Sequence, residues 1–197
     1  VGPIIIHTDR LNLRAWTRKD RAAFALIAHE PAIVEWLNNS RPLSSEQIDG
    51  FIARQIDNQR DRGWCRWAVE LRDPGEGDPT GIVGFAGFGC HQGLPDVELG
   101  WTLLPQLWRR GLATEAGVAA LRYGFDTIGF PQVFSAILPE NAASRAVAGK
   151  VGFILDGVYL DDGEPTLRYV AHNPHPDTAP DPRFVRTCEG DGASFAR

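Results

Sequence analysis

The segment Leu107-Trp108-Arg109-Arg110-Gly111-Leu112-Ala113-Thr114-Glu115-Ala116 joins a basic glycine turn directly to an amphipathic helix. Junctions of this kind bind anions. The first N–H groups of a helix have no intrahelical acceptor and sit at the positive end of its dipole, so a phosphate placed there meets both donors and field. Gly111 and Ala113 let those amides come close to a ligand, and Arg109 and Arg110 add charge that can pair with phosphate. A lone turn of this composition is usually only solvated, so its surroundings decide. Upstream, Asp96-Val97-Glu98-Leu99-Gly100-Trp101 alternates apolar and polar residues, which projects Glu98 from the face opposite Val97 and Leu99. That carboxylate is either a base acting through water or an exposed strand residue. Downstream, Asn141 and Ser144 head a helical segment, where both residue types favour capping.

The elements that position these groups can be traced along the chain. Leu112, Ala116, Ala119, Ala120 and Tyr123 form one apolar helical face, closed by Gly129-Phe130-Pro131. Residues 4–16 read as a first strand, and 18–37 as a helix that Pro31 breaks in two. Ser44-Ser45-Glu46-Gln47 is a capped start for a helix to about residue 60, with Ile48, Phe51, Ile52 and Ile56 inward. Strands follow over 64–72, 80–89 and 97–104, joined as a meander through turns at 73–78 and 91–95. After the anion-type turn and its helix come a strand at 133–137, a helix at 142–150, and strands at 154–160 and 166–171. Asp161-Asp162-Gly163-Glu164-Pro165 is a hairpin turn whose charge could attract a cationic acceptor.

This order of elements resembles the GNAT acyltransferase superfamily, and within it the RimJ and RimL branch of ribosomal-protein N-terminal acetyltransferases. Four features carry the resemblance over roughly residues 4–173: Thr8-Asp9-Arg10-Leu11-Asn12-Leu13-Arg14, Gly81-Ile82-Val83-Gly84, Trp108-Arg109-Arg110-Gly111-Leu112-Ala113-Thr114-Glu115-Ala116, and Asn141 with Ser144 before Gly152-Phe153. The superfamily's Gln/Arg-x-x-Gly-x-Gly/Ala pattern begins here with Trp108, a departure of little cost if the turn acts through its backbone amides.

The resemblance implies an α/β (α+β) protein with the GNAT fold, a central mixed, mostly antiparallel sheet flanked by helices. It implies acetyl-CoA as co-substrate and no metal, with pyrophosphate on the amides of Arg109, Arg110, Gly111, Leu112, Ala113 and Thr114. The pantetheine arm would run beside the strand from Glu98 through Leu99 to Thr102, with Asn141 contacting the same region. Glu98 is then the base and Ser144 the proton donor to the CoA thiolate; Glu164, near the last hairpin, is the rival carboxylate. The acceptor is a protein N-terminal α-amine or a small-molecule amine, and a homodimer is left open. A longer acyl donor and a non-catalytic acyl-CoA-binding module are the competing readings.

Composition agrees with one domain over 1–173 and a Pro/Asp-rich tail over 174–197. A net charge of −5 argues against a nucleic-acid partner. Ile4-Ile5-Ile6 is far too short for a signal core or a membrane span, so a cytoplasmic protein off the membrane is expected. Cys65, Cys90 and Cys188 are an odd number without metal-ligand spacing, so neither a disulfide framework nor a zinc site is expected. Gly87-x-Gly89-x-x-x-Gly93 runs into a strand, as a hairpin would, and His172-x-x-His175 straddles a proline without a third ligand. Trp36, Trp64, Trp67, Trp101 and Trp108 read first as core or rim packing, with an acceptor-lining role as the alternative.

Overall fold

Among the described residues the sequence folds around an eight-stranded sheet of order β1-β2-β3-β4-β5-β6-β8-β7, in which only β5 and β6 are parallel neighbours. The strands are β1 (Ile4–His7), β2 (Leu11–Arg14), β3 (Arg66–Leu71), β4 (Ile82–Cys90), β5 (Val97–Leu103), β6 (Gln132–Ile137), β7 (Ile154–Asp161) and β8 (Glu164–His172). The α-helices are α1 (Arg21–Ala28), α2 (Pro31–Val34), α3 (Ser45–Arg62), α4 (Leu112–Tyr123) and α5 (Ala142–Val151). This computed structural model describes residues 1–37, 40–91, 94, 96–161, 163–175, 183–184 and 188. Part of the expected turn at 91–95, Asp162 of the last hairpin and most of the tail lie outside those residues. Among the described residues no helix is long and apolar enough to cross a membrane.

The expected first strand is two. Thr8 turns the chain, its hydroxyl oxygen accepting the Leu11 N–H at 2.9 Å while its own N–H donates to the Leu11 carbonyl at 3.0 Å, and β1 pairs back on β2. Helix α3 begins as its sequence requires: Ser44 accepts from the Gln47 N–H, and the Gln47 side chain accepts from the Ser44 N–H.

Strand alternation sorts the core between two layers. Phe85 packs against Phe24 of α1 and Phe51 of α3. Residues of the opposite parity, such as Phe88 and Trp67, pack against Phe130 and Tyr123 near α4. Trp64 and Trp67 are wholly buried, Trp101 packs near Phe153, and of these five tryptophans Trp108 alone is exposed.

Cys90 is disulfide-bonded to Cys188, contrary to the expectation of no such bond. An odd cysteine count says nothing about a pair 98 residues apart that the fold brings within 5.3 Å, Cα to Cα. The remaining thiol, Cys65, is buried. Phe184 also lies against the domain, where its ring covers Gly63 and faces Tyr123.

Arg14 fixes the α1 layer to the sheet. Its buried guanidinium donates to both Asp20 carboxylate oxygens at 2.9 Å and to Glu70 at 2.8 Å, while Asp20 also accepts from Thr17. Truncation leaves the buried Asp20 and the half-buried Glu70 without their counter-charge, so Arg14→Ala is expected to cost about 3–5 kcal/mol in urea unfolding. Arg14→Lys should recover less than half of that, because an ammonium cannot form the forked pair.

Candidate active site

The parallel pair β5 and β6 is joined at a single registered position, Glu98 opposite Phe134. On its other side β5 stays paired with β4 from Val97 to Leu103. Beyond Glu98 no residue of β5 has a registered partner on β6, so Leu99, Gly100 and Trp101 present a strand edge to an opening between the two strands. Both strands run toward this open end, and each is followed there by a helix N-terminus: α4 after β5, α5 after β6. Ligands of parallel strands collect at such carboxyl ends.

At the α4 end, Arg109 and Gly111 both adopt left-handed backbone conformations, with φ of 61° and 77°. Gly111 is the residue before the helix, and its carbonyl accepts from the Glu115 N–H at 3.0 Å. The amides of Leu112, Ala113 and Thr114 therefore precede the first intrahelical bond and have no helical acceptor. A second hairpin holds this turn in place. Thr8 donates to Glu115 at 2.6 Å, Arg10 donates to it from Nε and from its backbone N–H, and Arg10 Nη1 donates to the Arg110 carbonyl at 2.9 Å. Thus the Thr8-Asp9-Arg10 segment and the glycine turn are one unit. Arg110 is engaged by Asp78 at 2.6 and 3.1 Å, and Trp108 donates from its indole to the Leu103 carbonyl at 2.7 Å.

At the closed end of the opening stands Glu98, and it is not the exposed carboxylate that strand alternation suggested. It does project opposite Val97 and Leu99, but that face is covered too, and Glu98 is only 4% exposed. Arg66 of β3 donates to its Oε2 at 2.6 Å, reaching across β4 because Gly89 has no side chain there. A Cβ on Gly89 would fall 3.0 Å from Arg66 Nε. His91 Nδ1 lies 3.7 Å from the same carboxylate oxygen, and the imidazole Nε2 is 3.2 Å from Asp161 Oδ1. The Tyr159 hydroxyl is 3.4 Å from that Nε2.

These charges set one another's acidity. Burial pushes the Glu98 carboxyl up, but Arg66, then His91 and the Ala136 N–H, outweigh it and hold Glu98 below the ordinary carboxylate range. Burial pushes His91 down, and Glu98 and Asp161 overcome it, so its imidazolium is favoured beyond the usual histidine value. Neutral pH finds Glu98 ionised.

Residues 10–154 match the acetyltransferase (GNAT) domain family. The chain belongs to the GNAT acetyltransferases. YoaA of Bacillus subtilis (strain 168), described as an uncharacterized N-acetyltransferase, is 28% identical over 155 residues, which is 78% of this chain and 85% of YoaA. An acetyltransferase structure from Agrobacterium tumefaciens superposes with a TM-score of 0.72 at 27% identity, covering 87% of this chain and 95% of that one. The ribosomal-protein-S5-alanine acetyltransferase of Vibrio fischeri has the same fold, with a TM-score of 0.72 at 15% identity, 90% of this chain and 100% of that one.

In this GNAT domain the glycine turn follows β5 and the head of α5 follows β6, while Leu99 is the first β5 residue past the last registered β5–β6 pair. Glu164, by contrast, is exposed at the start of β8, and the hairpin residue that turns inward is Asp161. Reading the sequence did not single out Arg66 or His91. For Arg66 the signal was period-two register: it pairs with Gly87, and Gly89 with Glu98, which puts Arg66 and Glu98 on one face. Among the described residues no His/Cys/Asp/Glu group could hold a metal.

Asn141 is the α5 cap, its Oδ1 accepting the Ser144 N–H at 2.9 Å. Ser144 supplies the capped amide rather than the cap. Asn141→Ala is therefore expected to lower stability by about 1 kcal/mol, and Ser144→Ala by much less, as measured by denaturant midpoints. Equal losses would contradict the capping geometry. Glu98 also makes stability pH-dependent. Because its carboxyl is lowered in the folded state, the stabilisation is complete above the unfolded value of 4.5 and is lost as pH falls through the folded value. Melting temperatures below pH 4.5 should fall less steeply in Glu98→Gln, from a lower starting level.

Proposed function

We propose that this acetyltransferase transfers the acetyl group of acetyl-CoA to a primary amine by direct attack in a ternary complex, the acceptor being a protein N-terminal α-amine or a small-molecule amine. The observation that carries the reading is the parting of β5 from β6 immediately after Glu98, with a helix N-terminus at the open end. CoA pyrophosphate is assigned to the amides of the 109–114 turn, where Arg109 adds charge while Arg110 is held by Asp78. The pantetheine follows the free edge of β5 from Leu99, and Asn141 borders the same opening from the head of α5.

Direct attack needs a neutral amine, donors for the developing oxyanion and a proton for the departing thiolate. An α-amine with a reference pKa near 8 is easier to deprotonate at neutral pH than a lysine near 10.4, by roughly 3 kcal/mol. That difference favours α-amines. The Vibrio fischeri enzyme is named for an alanine of ribosomal protein S5, which makes alanine-initiated peptides a natural first probe. Glu98 is the candidate base, since it is ionised and stands where the two strands part. Ser144, half-buried in the first turn of α5, is the candidate donor to the thiolate.

Acetyl-CoA consumption is to be measured against peptides beginning with Ala or Ser, free lysine and spermidine. Turnover should be faster with the peptides than with the lysine ε-amine, and acetyl-CoA but not ATP or NAD should raise the melting temperature. A thermal shift without turnover of any amine would instead favour an acyl-CoA-binding module. Gly111→Val should abolish the shift, because a β-branched residue is disfavoured at positive φ and crowds the amides. Glu98→Gln should lower kcat by about 10²-fold and flatten the acidic limb of the pH profile, with the acetyl-CoA shift retained. Ser144→Ala should lower kcat by roughly 10-fold at unchanged donor affinity.

A further inference from the structure

Glu98 has a difficulty as a base that its surroundings resolve. An oxygen that already accepts from Arg66 at 2.6 Å holds an incoming proton poorly, so a proton taken from an amine needs a better resting place close by. His91 is that place. It is 3% exposed, and among the described residues its Nδ1 has no hydrogen-bond partner although it lies 3.7 Å from Glu98 Oε2. A buried polar atom without a partner calls for an explanation, and here it is aimed at the carboxylate assigned to the chemistry. The other ring nitrogen is held by the last hairpin, through Asp161 at 3.2 Å and the Tyr159 hydroxyl at 3.4 Å.

We propose that His91 is a positioning residue that receives, at Nδ1, the proton Glu98 takes from the acceptor amine, while Asp161 holds the imidazole in place through Nε2–H. The inference rests on the reading of Glu98 as the base. As the amine attacks the thioester carbonyl a C–N bond forms, its N–H bond breaks and an O–H bond forms on Glu98; the C–S bond then breaks and the CoA thiolate leaves with a proton through Ser144. That O–H bond then breaks as Nδ1–H forms, leaving Glu98 ionised beside Arg66 and His91 as an imidazolium between two carboxylates. When the amide product leaves, the Nδ1 proton passes to water and the starting tautomer is restored. The gap of 3.7 Å must shorten for transfer, as catalytic hydrogen bonds commonly do once substrate is bound.

The groups facing His91 suit this task. Glu98 approaches from β5, with Arg66 of β3 behind it; Asp161 and Tyr159 approach from β7; and the Phe134 ring of β6 meets the imidazole edge-on at 5.9 Å. Arg168 of β8 covers Phe134 but is itself paired with Asp96 and Asp156. The raised affinity of His91 for a proton agrees with the arrangement.

The test combines protein NMR with kinetics on His91→Gln, Asp161→Asn and Glu98→Gln, using the panel amine of highest kcat/KM. In the free wild-type protein the His91 imidazole should titrate above 6.5, and Asp161→Asn should move that titration down. His91→Gln should lower kcat on the order of 10²-fold and remove the acidic limb of kcat/KM, with the acetyl-CoA thermal shift intact. Asp161→Asn should shift the limb to lower pH with a smaller loss. Because Asp161 is at the less buried hairpin, it serves even if His91→Gln fails to fold. If Glu98→Gln is slow while His91→Gln and Asp161→Asn keep the wild-type limb, the role of His91 is overturned and the base stands. If Glu98→Gln is itself silent, both fall. A His91 titration unmoved by Asp161→Asn also overturns the proposal.

Discussion

The ion pair between Arg66 and Glu98 sits where the sheet stops being continuous, and much else is arranged around it. Both charges are buried, at 7% and 4% exposure, so neither is tolerable without the other. Their meeting spans three strands and needs a sheet surface without side chains between them, which Gly89 and Gly100 supply under the guanidinium. The Ala136 N–H also turns to the Glu98 carboxylate. A side chain thus takes up a donor of β6 beside the point where β5 and β6 cease to be registered, so the strands part without leaving that donor orphaned.

The parting has consequences for both helices that follow. Antiparallel neighbours alone could have been joined by tight hairpins, but the parallel pair requires a crossover, and α4 provides it. Its N-terminus consequently lies at the open end of the cleft, and the next crossover element puts the α5 N-terminus at the same end. The Glu115 network ties the first hairpin to the α4 turn, so the mouth of the cleft is held by residues more than 100 positions apart in sequence. This explains why Thr8 and Arg10 accompany the glycine turn in the sequence although neither is next to it.

The covered side of the site is made by chain segments that close over it late in the sequence. On β7, Val158 and Leu160 face outward while Tyr159 and Asp161 turn inward to His91, so strand alternation separates an exposed apolar edge from a polar lining. Beside His91, the Cys90–Cys188 bond attaches the tail to the end of β4. His91 is therefore fixed from both directions, by the disulfide through its neighbour and by the hairpin through its own ring.

What the sequence determined by itself was local. The Ser44 capping box, the Gly111 turn, the break at Pro31 and the period-two strands each follow from interactions within a few residues, and the order of elements carried the family. The division of residues 4–16 into β1 and β2 was missed because Thr8 and Leu11 satisfy each other in a turn that continuous strand propensity hides. Only the tertiary structure decided the surroundings of Glu98. Alternation told which way it points, but whether that direction meets water or Arg66 depends on strand register and on which glycines lie between. The pairs Glu98–His91, His91–Asp161 and Cys90–Cys188 likewise join positions whose distance is set by hairpin pairing and sheet twist. Residue type gives each group its chemistry; the packing of distant strands gives it a partner, a dielectric and therefore a charge.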